Sequence, residues 1–221
     1  PNMVRRDITE GKSGIPLSLT LKVVDFDNGC APVPGAIVYI WHCDASGEYS
    51  GYNVTQNGNH AGETFLRGVQ LADANGRVNF RTIFPGWYTG RYTHIHIQVY
   101  APNVALSSTG SALITTQLTF PAATIQAVYN FSTLYPHGQN TSVPTWQSDQ
   151  VFGNGIGSEL APTSGTVPRG FAAGLVIGLS TQSTSSASGD NGSTSGAPGG
   201  TPPSGTPPTG TPPGMPGSVA G

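Results

Sequence analysis

Two histidines separated by one residue, His94 and His96, are the first candidates for chemistry in this 221-residue chain. They lie in a candidate strand over 94–100, where alternate side chains project from one face about 6 to 7 Å apart. That separation allows both imidazoles to bind one metal ion. The pattern alone is weak evidence, because a polar stripe on a solvated strand has the same spacing.

Two tyrosines stand where strands are expected to end near these histidines. Tyr88 and Arg91 follow a Pro-Gly turn directly upstream, and Tyr49 follows the run Trp-His-Cys at 41–43. A tyrosine is a poor ligand while it is protonated, with a pKa of about 10, but a hard and highly charged cation favours the phenolate. Ferric iron suits two phenolates and two imidazoles, whereas zinc or copper ordinarily recruits more histidine or thiolate.

Short strands separated by turns must position these residues. The alternation of apolar and polar residues predicts at least seven strands, at 17–24, 37–42, 65–70, 77–83, 94–100, 112–120 and 171–179. An Asp-Ala-Asn-Gly turn at 73–76 joins two of them. No helical periodicity is sustained in between, and prolines and glycines recur. We therefore expect an all-β fold, a β-sandwich or barrel, with long loops over 130–163.

The composition changes near residue 181 and divides the chain into two parts. Residues 1–180 form the expected folded domain, whereas residues 181–221 are mostly Gly, Pro, Ser and Thr with Asp190 as the one charge. Such a segment buries too little apolar surface to offset its ordering entropy, so we expect it to be disordered. Its repeated Gly-Thr-Pro-Pro motif is typical of an extended linker or stalk.

The charge balance and the lengths of the apolar stretches argue against two classes of partner, nucleic acids and membranes. The chain has 9 Lys and Arg against 11 Asp and Glu, a net charge of -2, so it lacks the cationic surface that nucleic-acid binding needs. The longest nearly apolar stretch, 171–179, is much shorter than the roughly 20 residues that cross a bilayer. We expect neither a nucleic-acid partner nor a membrane span.

Two features favour a secreted, extracellular protein. Cys30 and Cys43 are an even count at short separation, which predicts a disulfide bond. Four N-x-Ser/Thr sequons are candidates for glycosylation, at Asn53, Asn130, Asn140 and Asn191. The first residue is Pro1, with no leader ahead of it, which is expected of a processed mature chain or of one whose leader was removed.

Four segments carry a family resemblance. They are Trp-His-Cys-Asp-Ala-Ser-Gly-Glu-Tyr-Ser at 41–50, Phe-Leu-Arg-Gly-Val-Gln at 65–70, Asp-Ala-Asn-Gly at 73–76 and Phe-Pro-Gly-Trp-Tyr-Thr-Gly-Arg-Tyr-Thr-His-Ile-His at 84–96. Over residues 6–117 the chain resembles the intradiol ring-cleavage dioxygenases, in particular the secreted branch found in fungi and some soil bacteria, related to protocatechuate 3,4-dioxygenase and catechol 1,2-dioxygenase. The resemblance implies a β-sandwich that holds non-haem Fe(III) and uses O2 to cleave catechol rings to cis,cis-muconic acids.

The resemblance also implies a role for each matching residue. The implied iron ligands are Tyr49, Tyr88, His94 and His96. Arg91 matches the arginine that lies against the substrate ring, Gln117 matches its glutamine partner, and Tyr88 matches the axial ligand that the substrate displaces. Small catechols or hydroxyquinols from lignin or plant phenolics are the expected substrates. Only a short lead precedes the first strand, so a bacterial-type helical dimer is not expected, and a monomer or loose oligomer is.

Other functions use some of the same residues. A copper-zinc superoxide dismutase also has a His-x-His strand, but this chain has five histidines, and His60 and His137 lie outside matching motifs. A histidine-brace copper oxygenase needs a histidine at the mature amino terminus, where this chain has Pro1. The principal alternative is a non-enzymatic β-sandwich on a Pro/Thr-rich stalk, serving adhesion or carbohydrate binding. Arg67 either supports the fold or borders the pocket, and the sequence leaves both open.

Overall fold

The computed structural model describes residues 2–55, 57–104 and 112–180, and the regular secondary structure in these ranges is mostly strand with little helix. The strands are β1 (Pro16–Asp25), β2 (Ala31–Pro32), β3 (Ile37–Trp41), β4 (Asn53–Val54), β5 (Gly58–Asn59), β6 (Arg67–Leu71), β7 (Arg77–Ile83), β8 (Ile95–Tyr100), β9 (Ile114–Leu118), β10 (Thr163–Thr166) and β11 (Gly170–Leu179). The helical segments are α1 (Ala122–Phe131) and single 3₁₀ turns at Phe26–Asn28, Trp146–Ser148 and Phe152–Asn154.

Strand β1 is the centre of a five-stranded sheet. It pairs in parallel with β11 along one edge and antiparallel with β7 and β2 along the other, and β10 extends the sheet beyond β11. Leu17, Leu19, Leu21 and Val23 alternate with more exposed residues and are all buried, because successive side chains of a strand point to opposite faces.

A second sheet has four antiparallel strands in the order β6-β3-β8-β9. Arg67, Trp41, His96 and Gln117 lie directly opposite one another on these four strands. Residues paired in this way project from the same face of a sheet. The sheet register therefore places His96 between a tryptophan and a glutamine.

The two sheets share one hydrophobic core. Leu19 and Leu21 of β1 belong to the same buried cluster as Val38 and Ile40 of β3 and Ile97 of β8. The other face of the four-stranded sheet carries a second cluster, made of Met3, Ile37, Tyr39, Trp41, Cys43, Tyr49 and Val69. The row of residues around His96 lies on this second face, away from the shared core.

The seven predicted strands are confirmed as β1, β3, β6, β7, β8, β9 and β11, with ends that differ by at most two residues. The predicted turn over 73–76 is present, with Gly76 in the left-handed region at φ +73°. It joins strands of different sheets, because β6 and β7 pair with different neighbours.

Helix α1 is the element that the sequence prediction missed, and the expectation of no helix is wrong there. Its buried residues are Ile125, Val128 and Tyr129, a single i, i+3, i+4 set that is too short to stand out among nearby strand-forming residues. The long loops expected over 130–163 are found from residue 132 to residue 162, where the two last 3₁₀ turns are the regular elements.

The predicted disulfide bond between Cys30 and Cys43 is not formed, because both thiols are free. Cys30 is exposed, just before β2 of the five-stranded sheet, whereas Cys43 is buried just after β3 of the other sheet. Short separation along the chain was a poor guide here, since the intervening residues pass from one sheet to the other.

The predicted glycosylation sites differ in accessibility. Asn53 and Asn130 are exposed, and their glycosylation stays a prediction. Asn140 is buried, and its Nδ2 donates to the carbonyl oxygen of Arg91 at 2.9 Å, so this amide is not available for a glycan. Asn191 and the predicted disordered segment 181–221 lie outside the described residues. Within the described ranges, no helix has both the length and the apolar character needed to cross a membrane.

Candidate metal centre

Four side chains from three parts of the chain meet at one end of the four-stranded sheet. Tyr49 follows β3, Tyr88 follows β7, and His94 and His96 flank the first residue of β8. His94 Nε2 lies 3.1 Å from His96 Nε2, 3.2 Å from Tyr88 Oη and 3.4 Å from Tyr49 Oη. The four residues implied as ligands are therefore neighbours in space, although metal binding by them stays a prediction.

These separations suit a single metal ion. Two ligand atoms about 2.1 Å from one metal ion, with an angle of about 90–109° between them, lie roughly 3.0–3.4 Å apart. In the part of the chain that the structure describes, no group of three or more His, Cys, Asp or Glu side chains is arranged to hold a metal ion. A metal centre here thus depends on the two phenol oxygens, and phenolate with imidazole is a donor set that ferric iron accepts.

The surroundings keep both imidazoles neutral. His94 Nδ1 lies 2.6 Å from the carbonyl oxygen of Tyr92, and because a carbonyl can only accept, Nδ1 carries the proton and Nε2 has a free lone pair. Burial, reinforced by the charge of Arg91, holds the pKa of His94 well below its usual value, and burial does the same for His96. Neutral imidazole is the form that binds a metal ion.

The two phenols differ in exposure. Burial raises the pKa of both Tyr49 and Tyr88, so each keeps its proton at neutral pH unless a cation is bound. Tyr49 is buried, whereas Tyr88 is partly exposed and closer to solvent. A hard cation beside the imidazoles would reverse the preference of both phenols, because it stabilises the phenolate directly.

Asn57 holds Tyr49 in place by its backbone. The Tyr49 N–H donates to Asn57 Oδ1 at 2.5 Å, and Asn57 Nδ2 donates to the Tyr49 carbonyl oxygen at 2.7 Å. Asn57 is buried, so these two bonds lie away from competing water. The Asn57 amide thus binds both backbone polar groups of Tyr49, as a neighbouring strand would, and fixes the backbone conformation there.

Glycines allow the two tyrosine segments to touch. The N–H of Gly86 donates to the Asp44 carbonyl oxygen at 3.1 Å, and a Cβ on Gly86 would lie 2.5 Å from that oxygen. Gly47 is in the left-handed region at φ +81°, and a Cβ there would lie 2.3 Å from the carbonyl oxygen of Trp87. Glycine is therefore required where the two segments meet.

Two further tyrosines anchor the segment that carries Tyr88. Tyr135 Oη donates to the Phe84 carbonyl oxygen at 2.6 Å, and Tyr129 Oη donates to the Pro85 carbonyl oxygen at 3.0 Å. Tyr129 lies in helix α1 and Tyr135 follows it. The unpredicted helix and the loop after it thus position the Pro-Gly turn ahead of Tyr88.

A chain of polar contacts runs from Asp149 to Gln117 next to the histidines. Arg91 Nε donates to Asp149 Oδ2 at 3.0 Å, and Arg91 Nη2 donates to Gln117 Oε1 at 2.6 Å. Gln117 faces His96 across β8 and β9, and its buried Nε2 is a donor without a partner among the described residues. A buried unpaired donor is costly, so this position suits an acceptor such as a water molecule or a ligand oxygen.

Sequence reasoning missed Asp149 and Asn57. Besides Arg91, the buried Asp149 carboxylate accepts the backbone N–H groups of Tyr92, Val151 and Phe152. Its partner Arg91 lies 58 residues away, and no local pattern indicates that contact. Asn57 could have been noticed, because Asn57-Gly58 is a turn signal close to Tyr49.

Comparisons with known proteins show which proteins this chain is similar to. A family model described as "Dioxygenase" matches residues 2–132. The chain is 33% identical over 127 residues to the protocatechuate 3,4-dioxygenase beta chain of Burkholderia cepacia, which is 52% of this chain and 51% of that relative. It is 30% identical over 118 residues to 6-chlorohydroxyquinol 1,2-dioxygenase of Cupriavidus pinatubonensis, which is 43% of this chain and 39% of that relative. The chain therefore spans about half the length of these curated relatives, or less.

A solved structure is similar over most of the chain. It is the intradiol ring-cleavage dioxygenase from Tetranychus urticae, with a TM-score of 0.71 and 30% sequence identity. The match covers 84% of this chain and 90% of that one.

Proposed function

Since the chain belongs to the intradiol ring-cleavage dioxygenases, we propose that it is an Fe(III)-dependent enzyme that uses O2 to cleave catechols to cis,cis-muconic acids. The observation that carries this proposal is that His94 Nε2 lies within 3.1–3.4 Å of three other possible ligand atoms, namely His96 Nε2, Tyr88 Oη and Tyr49 Oη. In this proposal Tyr49, Tyr88, His94 and His96 hold the iron within a β-sandwich. Bound Fe(III) would supply a Lewis acid that makes a ring carbon of the catechol reactive toward O2.

Tyr88 is proposed to accept a proton from the substrate. Of the two phenols it is the more exposed, so an incoming catechol reaches Tyr88 Oη more easily than Tyr49 Oη. The positive charge of Arg91 opposes the rise in the pKa of Tyr88 that burial causes, which favours a phenolate that can later take up a proton. Tyr49, buried and clamped by Asn57, is proposed to stay in place throughout.

Arg91 and Gln117 are proposed to bind and stabilise the ring. The unpaired Gln117 Nε2 is a donor suited to a substrate oxygen, and Arg91 adds a positive charge within contact of the same glutamine. Both groups are already oriented, by Asp149 and by the sheet register, before any substrate arrives. Preorganised donors of this kind stabilise negative charge that develops during reaction.

The charges beside the centre support uncharged substrates such as catechol or hydroxyquinol. The buried carboxylate of Asp149 already matches the charge of Arg91. Arg91 and Asp149 together carry no net charge, so Arg91 can donate to a substrate oxygen but the pair leaves no net positive charge to balance a carboxylate fixed on the ring.

An extracellular site of action is part of the proposal. The exposed sequons at Asn53 and Asn130 support it, whereas the free cysteines give it no support. Catechols and hydroxyquinols released from lignin or plant phenolics are the substrates proposed for that setting. Expression in a secreting eukaryotic host, followed by glycan mapping, is expected to find sugar at Asn53 or Asn130 and none at Asn140.

The proposed function is tested by loading the purified chain with Fe(III) and adding catechol, hydroxyquinol or protocatechuate. We expect a visible tyrosinate-to-iron absorption band, consumption of one O2 per catechol cleaved, and a cis,cis-muconic acid as product. Protocatechuate is expected to react more slowly than catechol. A colourless protein that takes up no O2 with any of the three would contradict the proposal and favour the non-enzymatic binding module.

Replacing Arg91 with alanine is expected to slow turnover without removing iron. The loss of one preorganised charged donor costs about 100-fold in kcat. Asp149 keeps its three backbone N–H donors in this variant, so the fold should survive. Arg81→Ala is the control, because Arg81 is exposed on β7. Iron content by elemental analysis and steady-state O2 uptake check the prediction, and unchanged kcat in Arg91→Ala contradicts it.

A further inference from the structure

Arg67 is a buried cation whose hydrogen bonds all go to uncharged groups. It is 3% exposed, and its guanidinium donates to the carbonyl oxygen and hydroxyl of Ser50 and to Tyr39 Oη. None of the ion pairs found among the described residues includes Arg67. A buried charge without a counter-charge is costly, so an apolar residue of similar size would serve better if packing were its only role.

One side of the guanidinium holds the peptide next to Tyr49. Arg67 Nε and Nη2 lie 3.1 and 2.6 Å from the Ser50 carbonyl oxygen, and Nε also lies 2.8 Å from Ser50 Oγ. Ser50 Oγ in turn donates to the Phe65 carbonyl oxygen at 2.6 Å. Ser50 directly follows Tyr49, so these bonds fix the peptide on the carboxyl-terminal side of Tyr49, whereas Asn57 binds the N–H and carbonyl of Tyr49 itself.

The other side of the guanidinium leads to His96 through a stack of rings. Arg67 Nη1 lies 2.9 Å from Tyr39 Oη. The Tyr39 ring stacks on Trp41 with centroids 5.0 Å apart, and Trp41 stacks on His96 with centroids 4.6 Å apart and planes 9° from parallel. A shift of Tyr39 would therefore be passed to His96 through rings in direct contact.

These contacts need the shape of a guanidinium as well as its charge. Its planar fork donates in two directions at once, toward Ser50 and toward Tyr39, and its Cζ lies 5.3 Å from the centre of the Tyr52 ring. A lysine ammonium at this position would keep the positive charge but not the rigid fork. Charge and geometry can therefore be separated by one substitution.

We propose that Arg67 is a positioning residue that sets the separation between Tyr49 Oη and His96 Nε2. It acts on the first atom through Ser50 and on the second through Tyr39 and Trp41. The proposal rests on the proposed function in one respect, namely that these two atoms bind the iron.

The experiment compares Arg67→Lys and Tyr39→Phe with Arg81→Lys as the matched control, each in the full chain. Competition with a chelator is expected to show iron affinity about 10- to 100-fold weaker in Arg67→Lys, the usual cost of losing a group that orients a ligand. The visible tyrosinate band is expected to shift in Arg67→Lys. Tyr39→Phe keeps the ring stack and loses the hydrogen bond to Arg67, so its change should have the same direction and be smaller.

A metal-free measurement separates positioning from folding. Hydrogen exchange of the iron-free proteins is expected to be faster at residues 49–51 in Arg67→Lys, with β1 and β11 unchanged and a melting temperature close to that of Arg81→Lys. Wild-type exchange at 49–51 together with wild-type iron affinity in Arg67→Lys would overturn the proposal. A general loss of protection across both sheets would also overturn it, because Arg67 would then stabilise the fold alone. If the wild-type chain binds no iron, the proposed function fails, and the exchange measurement still decides the role of Arg67.

Discussion

Tyr49→Phe is expected to leave the protein without stoichiometric iron, without its visible absorption band and without O2 uptake. The substitution removes only the buried phenol oxygen, which lies 3.4 Å from His94 Nε2. Tyr49 supplies one of the two hard donors on which a ferric site depends here, so its loss should exceed the roughly 10- to 100-fold affinity change caused by losing an orienting group. Removing His96 Nε2 by His96→Ala should have the same consequence.

The matched control for Tyr49→Phe is Tyr100→Phe. Tyr100 lies on β8, on the same face of the same sheet as His96, and its Oη donates to Gln98 Oε1 at 2.7 Å, away from the proposed ligands. Elemental analysis, the visible spectrum and oxygen uptake are measured on all variants after loading with Fe(III). Full iron content in Tyr49→Phe or His96→Ala would remove that residue from the ligand set and with it the chemical basis of the proposed enzyme.

The proposed ligands could be predicted because each stands in a short motif with its own signal. His94 and His96 flank the first residue of β8, and Tyr88 follows a Pro-Gly turn. The strands themselves could be predicted because alternation with period two is a local property, readable in β1 from Leu17 to Val23. Local signals of this kind predict which face of a strand a side chain occupies. That the four residues come together at one site was predicted only from the family resemblance.

The supporting residues could not be predicted, because their contacts join distant segments. Asp149 meets Arg91 across 58 residues and Arg67 meets Tyr39 across 28 residues, and neither pair has a local pattern. The same limit explains the error over Cys30 and Cys43. Proximity along the chain suggested a bond, but the sheet to which each cysteine belongs is decided by strand pairing elsewhere.

The proposed centre therefore depends on two segments, those of Tyr49 and Tyr88. Side chains elsewhere in the fold hold each segment in place, and the two segments are in direct contact. Asn57 and Arg67 hold the segment of Tyr49, while Tyr129 and Tyr135 hold the turn before Tyr88. The two segments also meet directly, through the packed rings of Tyr49 and Tyr88 and through a backbone contact between Gly86 and Asp44. A change at that contact should move one tyrosine relative to the other while leaving all four proposed ligands chemically intact.

Gly86→Ala tests this contact and is expected to abolish iron binding without altering any proposed ligand. The new Cβ would lie 2.5 Å from the Asp44 carbonyl oxygen and 2.7 Å from that of Ala45, and both are backbone atoms that cannot rotate away. The segment of Tyr88 must therefore move outward, and the hydrogen bond from the Gly86 N–H to Asp44 must lengthen. Overpacking of this kind costs about 1–3 kcal/mol of stability.

Gly157→Ala is the matched control for Gly86→Ala, because a Cβ at Gly157 meets no atom within 4 Å and its φ lies outside the left-handed region. Thermal unfolding of the iron-free proteins, iron content and the tyrosinate band are compared. The metal-free Gly86→Ala protein should still fold cooperatively, since its loss of stability is confined to one contact, while its band disappears because Tyr88 Oη no longer reaches the position beside His94. A Gly86→Ala protein with wild-type iron content and an unshifted band would mean that the two segments adjust independently, and that close contact between them is not what brings the phenol oxygens to the imidazoles.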